Sequence, residues 1–197
     1  MTMPLRQSFV RRQLAAHGAS LAEAGGGFVA MSFDGSDELA VARRLGLADL
    51  SPWPRTGFKG RNTLPTLRAH GVALEDRPNQ AFRQSGGGLA AVLASTEVLL
   101  LAPLAEDAAQ LRGLVEGWSL DHAAGCYLAP RQDSHFWFRI TGVHASEMFA
   151  KLCGVDLRVA HFPDRAIAQT SVARSNAIVI RDDLGATPAF HLLGDSA

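Results

Sequence analysis

The stretch His135–Val155, HFWFRITGVHASEMFAKLCGV, constrains the fold more than any other. Phe136, Phe138 and Ile140 alternate with His135, Trp137, Arg139 and Thr141, the period of two of a strand whose faces meet different surroundings. Gly142 breaks the run, Met148, Phe149 and Leu152 recur at helical spacing, and Gly154 suits a helix end. Thr56–Val72 has the same grammar: Phe58 and Lys59, then Gly60, then Leu64 and Leu67 on a short helix, then Gly71 and Val72. Gly60 and Gly71 are 11 residues apart, Gly142 and Gly154 are 12 apart, and the two leading glycines are 82 apart. The expectation is a weak internal duplication in which two β-α units build one core.

A chain of 197 residues with two such units is one domain, 1–197, composed of halves at about 1–122 and 123–197. At 47% hydrophobic and 19% charged residues it can bury a core without disulfides or metals. Nineteen basic and nineteen acidic residues cancel, so no charge asymmetry argues for nucleic acid or an anionic membrane surface. Cys126 and Cys153 are far apart and read as buried apolar residues in a reducing, cytoplasmic setting. No run reaches the length of a membrane span, and the N-terminal stretch lacks the apolar core of a secretion signal.

Residues 1–7 read as a loose terminus, and Ser8–Leu14 as a short helix capped by Ser8 and ended near Gly18. Ala19–Ala24 and Phe28–Phe33 are predicted strands joined at Gly25-Gly26-Gly27. The triple glycine has no Lys-Ser/Thr after it and opens no helix, so it reads as a hairpin turn and not a phosphate loop. After an Asp34-Gly35-Ser36 turn and cap, Asp37–Leu45 is a predicted helix with Leu39, Ala42 and Leu45 on one side, ended by Gly46. Pro52 and Pro54 bar a regular strand, leaving Trp53 and Arg55 in a loop. Ala81–Gln84, Leu89–Leu93 and Val98–Ala102 are predicted strands, with Glu75–Asn79 a polar connection before them. Leu104–Trp118 is a predicted amphipathic helix, Asp121–Ala124 a candidate boundary, and Cys126-Tyr127-Leu128 the strand that starts the second half. Ala166–Ala173, Asn176–Arg181 and Ala189–Leu193 complete the strands, with a turn at Asp182–Pro188. Asp195-Ser196 offers a helix start with no helix behind it. The pattern predicts an α+β fold of two pseudo-repeated β-α halves with mostly antiparallel sheets.

Few residues carry a chemical signature. The seven histidines, His17, His70, His122, His135, His144, His161 and His191, show no metal-ligand spacing. There is no GxSxG elbow, and Cys153 at a helix end lacks the helix N-terminus or cation that activates a thiol. Asp182-Asp183 has acid/base or magnesium potential but also reads as a turn before Leu184-Gly185. His135, Trp137 and Arg139 share one strand face, which is a partner-binding patch if exposed and core if covered. No catalytic, cofactor-binding or metal residue is assigned.

Gly18-Ala19, Glu38, Ala42, Arg43 and Gly46-Leu47-Ala48-Asp49-Leu50-Ser51, with Lys59-Gly60, Leu67 and Thr141-Gly142, resemble the folate-binding aminomethyltransferase family, whose best-known member is the glycine cleavage T-protein. More closely, Asp49-Leu50-Ser51-Pro52, Gly57-Phe58-Lys59-Gly60, Leu152–Arg158, Ala168-Gln169-Thr170 and Ile180-Arg181-Asp182-Asp183 resemble the gamma subunits of heterotetrameric sarcosine oxidases. The enzymes of the family carry a Gly-Gly-x-x-Asp-Asp-Leu hairpin; the matching Gly86-Gly87-Gly88-Leu89-Ala90-Ala91-Val92 has no acid. They also carry Arg-Thr-Gly-Tyr-Thr-Gly-Glu-x-Gly-Phe-Glu; in the matching Arg181–His191, Thr187 and His191 replace the two Glu, and Leu184 replaces Tyr. Neither Thr nor Leu can supply the charge-assisted hydrogen bond of a carboxylate. The resemblance therefore implies a noncatalytic gamma-type subunit that binds no cofactor itself, in a complex with alpha, beta and delta subunits. That complex oxidises sarcosine to glycine and passes the one-carbon unit to tetrahydrofolate, with FAD, FMN, NAD and tetrahydrofolate held by the partners. Trp53, Trp118 and Trp137 are its expected interface anchors. Two rival readings follow. One is a stand-alone tetrahydrofolate-dependent one-carbon transferase in which Asp182 or Asp183 replaces the missing acids. The other is a binding module with Arg139 or Arg181 clamping a small acid.

Overall fold

The computed structural model describes residues 5–24, 26–35, 37–104, 108–119 and 125–195. It is a mixed α+β fold whose sheets are mostly antiparallel, as the alternation predicted. The N-terminal part comprises β1 (Arg6–Gln7), α1 (Arg11–Ala16), β2 (Ala19–Ala24) and β3 (Gly27–Phe33), in a sheet of order β1-β3-β2. The terminus is held further out than its composition indicated. Arg6 and Gln7 pair with Gly27 and Phe28, and the Arg6 guanidinium meets Asp133 at 2.9 Å. Ser8 accepts from the Val10 amide at 3.2 Å, and α1 starts only at Arg11. The β2–β3 hairpin forms at the glycines, although Gly25 lies outside the described residues, as does Ser36 in the next turn.

In α2 (Glu38–Leu45), the Asp37 side chain caps the helix by accepting from the Ala40 amide at 3.0 Å. Gly46 ends it as expected, but no residue of α2 is buried, and Leu39, Val41 and Leu45 are exposed. The apolar side read from the sequence exists; it does not meet the core.

Two five-stranded antiparallel sheets follow. The chain runs β4 (Gly46–Asp49), β5 (Arg55–Lys59), α3 (Thr63–Ala69), β6 (Gln80–Arg83), β7 (Leu89–Ala94), β8 (Glu97–Leu101), α4 (Ala109–Glu116) and β9 (Tyr127–Pro130). It continues through β10 (His135–Thr141), α5 (Ala145–Phe149), β11 (Ile167–Val172), β12 (Ser175–Arg181) and β13 (Ala189–Asp195). One sheet has the order β6-β7-β8-β5-β9, the other β11-β12-β13-β10-β4. β4 precedes the first β-α unit yet pairs with β10, and β9 precedes the second yet pairs with β5. The prolines stop β4 but do not prevent it, and Arg55, expected in the loop, begins β5. The sheets also touch edge to edge. Gln80 bridges Ala166, and the Ala81 and Ile167 amides donate to Arg165 and Asn79 carbonyls at 2.8 and 2.9 Å. α4 is shorter than predicted, residues 105–107 lie outside the described set, and so does the boundary expected at Asp121–Ala124.

Three apolar clusters fill the layers. Phe58, Leu64, Leu67 and Val98 pack under α3 and α4 on one sheet, and Ile140, Phe149 and Phe190 pack under α5 on the other. Trp137, Leu99, Ile180 and Leu193 fill the space between the sheets. The paired glycines form the strand–helix corners. A Cβ on Gly60 (φ +136°) would sit 2.1 Å from the Gly125 oxygen, and one on Gly142 (φ +109°) 2.4 Å from the Arg44 carbonyl. The Asn62 and His144 amides use those same two carbonyls, each at 3.0 Å. Among the described residues no helix is long and apolar enough to cross a membrane.

Candidate functional site

The β10 face bearing His135, Trp137 and Arg139 turns toward the other sheet. Trp137 is 0% exposed, so the reading of this face as a partner patch, and of Trp137 as an interface anchor, is corrected to core. Trp53 and Trp118 are only half-buried. Trp53 Nε1 donates to the Pro103 carbonyl at 2.8 Å, and Trp118 lies 4.5 Å from the Phe58 ring centroid.

Burial of Trp137 organises a polar chain. Its Nε1–H donates to His191 Nδ1 at 3.0 Å, which leaves the proton of the neutral imidazole on Nε2, 3.3 Å from Asp182 Oδ2. Asp182 also accepts from Arg139 Nη2 at 3.1 Å and from Arg83 Nη2 at 2.7 Å and Nε at 2.9 Å. Burial pushes the Asp182 carboxyl up, but hydrogen bonds from His191 and Arg83 and the charge of Arg139 outweigh it and hold the pKa at about 2. Burial holds His191 below the ordinary imidazole value despite Asp182. Burial likewise lowers Arg139, again against the pull of Asp182. Asp183 turns the other way. Arg181 grips it at 2.5 and 3.0 Å while donating to the Val159 and Phe162 carbonyls, and the Asp183 carboxylate also accepts from the Ala189 amide at 3.2 Å.

Asp182 and Arg139 wall a cleft of about 450 Å³ shared with Arg83, Gly86, Gly87 and Pro103. Arg139 and Leu184 also line a second, largely apolar groove of about 470 Å³ between β3, α2 and β4, where Met31, Val41 and Leu47 lie. The structure thus brings three of the residues singled out in sequence, Asp182, Asp183 and Arg139, to one cleft. Arg181 is buried beneath it, as the partner of Asp183 and not a clamp for a ligand. Arg83 and the bridging position of His191, between Trp137 and Asp182, were missed. The sequence marked His191 only as a residue in place of a family Glu within an otherwise apolar strand, and Arg83 is 99 residues from its partner. Burial raises the Cys126 thiol, in keeping with an apolar role, and among the described residues no group of three His, Cys, Asp or Glu could hold a metal ion.

No family model matches the sequence, and no curated protein sequence matches it. The structure is similar to heterotetrameric sarcosine oxidase from Corynebacterium sp. U-96, at a TM-score of 0.66 and 18% identity over 96% of this chain and 87% of that one. It is also similar to glycine cleavage system aminomethyltransferase T from Bartonella henselae, at a TM-score of 0.71 and 14% identity over 96% of this chain. The fold is aminomethyltransferase-like. At these identities the likeness is one of fold alone, and the chain spans about half, 54%, of the Bartonella protein.

Proposed function

We propose that this chain is the noncatalytic, gamma-type docking subunit of a sarcosine-oxidase-like heterotetramer. The observation that carries the reading is the state of the cleft's carboxylates. Asp182 is held by Arg83, Arg139 and His191, and Asp183 by Arg181, so neither is free to attract an amine. The residues do not suit a pterin either. The hairpin that bears acids in the family presents Leu89–Val92 here, all buried in β7, and Asp182 and Asp183 already have cationic partners. On this reading the alpha, beta and delta partners hold FAD, FMN, NAD and tetrahydrofolate, and the assembly works in the cytoplasm, taking sarcosine to glycine. The two sheets are read as copies of one unit that exchanged their leading strands, β4 and β9, which the matched strand orders and the matched Gly60 and Gly142 corners support.

The test is titration calorimetry of the isolated chain with tetrahydrofolate and FAD, beside purification of the chain from its native host. Silence in the first and a stoichiometric complex with flavoprotein subunits in the second are expected. A saturable folate heat overturns the reading. One observation favours a rival, a tetrahydrofolate-dependent aminomethyltransferase-like enzyme: the Asp182 carboxylate does face the open cleft. Folate-dependent turnover by the chain alone, lost in Asp182→Asn or Asp183→Asn, would establish it.

A further inference from the structure

We propose that the cleft where β1 meets the β4–β5 and β9–β10 connections binds one small monovalent anion, a halide or a simple carboxylate. This cleft shares no lining residue with the Asp182 cleft, and the proposal does not rest on the docking-subunit reading.

Two crossings of the chain between the sheets meet at Arg55, which is 3% exposed. Its Nη1 donates to the Ser51 and Trp53 carbonyls at 2.8 and 2.9 Å, in the connection from β4 to β5. Its Nη2 donates to the Gln132 carbonyl at 2.9 Å and to the His135 carbonyl, where β9 passes to β10. Its Nε is buried with no partner, and no carboxylate pairs with it among the described residues. Four carbonyl dipoles satisfy donors but leave the net charge in place, and a buried charge is normally paired. Burial lowers the Arg55 pKa to about 10, although Asp133 and Asp49 pull it up.

Arg55 lines a cleft of about 140 Å³ with Arg6, Ser8, Ser51, Asp133 and His135. Two of these carry hydroxyls and are more than nine-tenths buried, Ser8 at 7% exposed and Ser51 at 9%. Each accepts from a backbone amide at 3.2 Å, Ser8 from Val10 and Ser51 from Trp137. Neither hydroxyl has an acceptor for its own proton among the described residues. A hydroxyl that accepts still has one proton to donate, so both retain a donor at the cleft.

Charge sets the class of ligand. Arg6 and Arg55 bring two positive charges to the cleft and Asp133 one negative, which meets Arg6 at 2.9 Å. His135 adds none: its ring nitrogens lie 2.9 Å from Ser134 Oγ and 3.3 Å from Arg131 Nη1, and burial, helped by Arg131, lowers its pKa. Asp49, the other nearby acid, accepts from the Ser51 amide at 3.0 Å and does not line the cleft. One positive charge is left over, which a monovalent anion balances. A water molecule would meet the hydroxyl donors and leave that charge as it is. The volume admits a halide or a carboxylate of a few atoms. Such an ion joins Arg6 and Ser8 of the N-terminal segment to Ser51 and Arg55 at the crossing, so binding tightens that segment onto the two sheets.

The experiment is thermal unfolding of the full chain at pH 7 and fixed ionic strength, with gluconate exchanged stepwise for chloride or for acetate. A saturating rise in Tm of about 2–4 °C in at least one of the two salts is expected. Amide hydrogen exchange at residues 6–9 should slow in the same salt. Ser8→Ala removes one donor and should raise the midpoint concentration about threefold or more. Asp133→Asn removes the opposing charge and should lower that midpoint by a similar factor. Unchanged circular dichroism confirms that both variants fold. Saturation by chloride assigns the site to a halide, and saturation by acetate alone assigns it to a carboxylate; either supports the proposal. A Tm that climbs without saturating in both salts marks an adventitious ion only and overturns it. A saturating midpoint that Ser8→Ala and Asp133→Asn both leave in place also overturns it, since the ion then binds elsewhere.

Discussion

Asp182 shows how one side chain links stability to pH. Its folded pKa, about 2, lies below the ordinary 3.8, so its contribution is fully present above pH 4 and is lost as pH falls through about 2. That shift corresponds to about 2 kcal/mol. His191 and His135 are also depressed, burial being the leading cause in each, so an earlier loss begins as pH falls below the ordinary imidazole value of 6.5. Urea unfolding should therefore weaken in two stages on acidification. Asp182→Asn should lower the unfolding free energy at pH 7 by about 2–4 kcal/mol, because Arg139 loses its buried counter-charge. The variant should also lack the lower stage; a variant whose acid profile parallels the wild type contradicts the assignment. His191 could not have been placed in this role from sequence, since its meaning comes from Trp137 Nε1–H, 54 positions away.

The β-α units and the hairpins were legible as local patterns, because strand alternation and turn signals act over a few residues; the helix cap, expected within Asp34-Gly35-Ser36, is instead Asp37, which had read as the first helical residue. The β11–β12 hairpin illustrates what such patterns miss. Ala173 and Arg174 are its two loop residues, both left-handed at φ +50° and +70°, although neither residue type favours that region. The tight ladder from Val172–Ser175 to Ile167–Ile180 imposes the turn. Asn-Gly is the pair such a turn prefers. Ala173→Asn/Arg174→Gly should therefore raise stability by about 1 kcal/mol, seen as a rise in Tm of about 2–4 °C. A fall in Tm would mean that the loop side chains contribute more than their backbone strain costs. α2 is the opposite lesson. Its amphipathic side was readable, but whether that side meets a core or a groove is decided by where β3 and β4 lie.

At the scale of the whole molecule, β4 pairs with β10 and β9 with β5, and these crossings bind the two sheets together along with the Trp137 cluster between them. Fragments 1–122 and 123–197 should each be largely unfolded by circular dichroism, since each lacks a strand that the other holds, and mixing them should restore the native spectrum. Independent folding of either fragment would show that these two pairings are dispensable. The sequence alone determined the alternation of strands and helices, the two glycine corners and the absence of acids from Gly86–Val92, because each lies within a dozen residues of chain. Only the tertiary structure decided that Trp137 is core, that Arg83 and Arg139 neutralise Asp182, and that β4 pairs with the distant β10. Those outcomes depend on which distant segments share buried surface, a choice made by the packing of the whole chain and not by the periodicity of any one stretch.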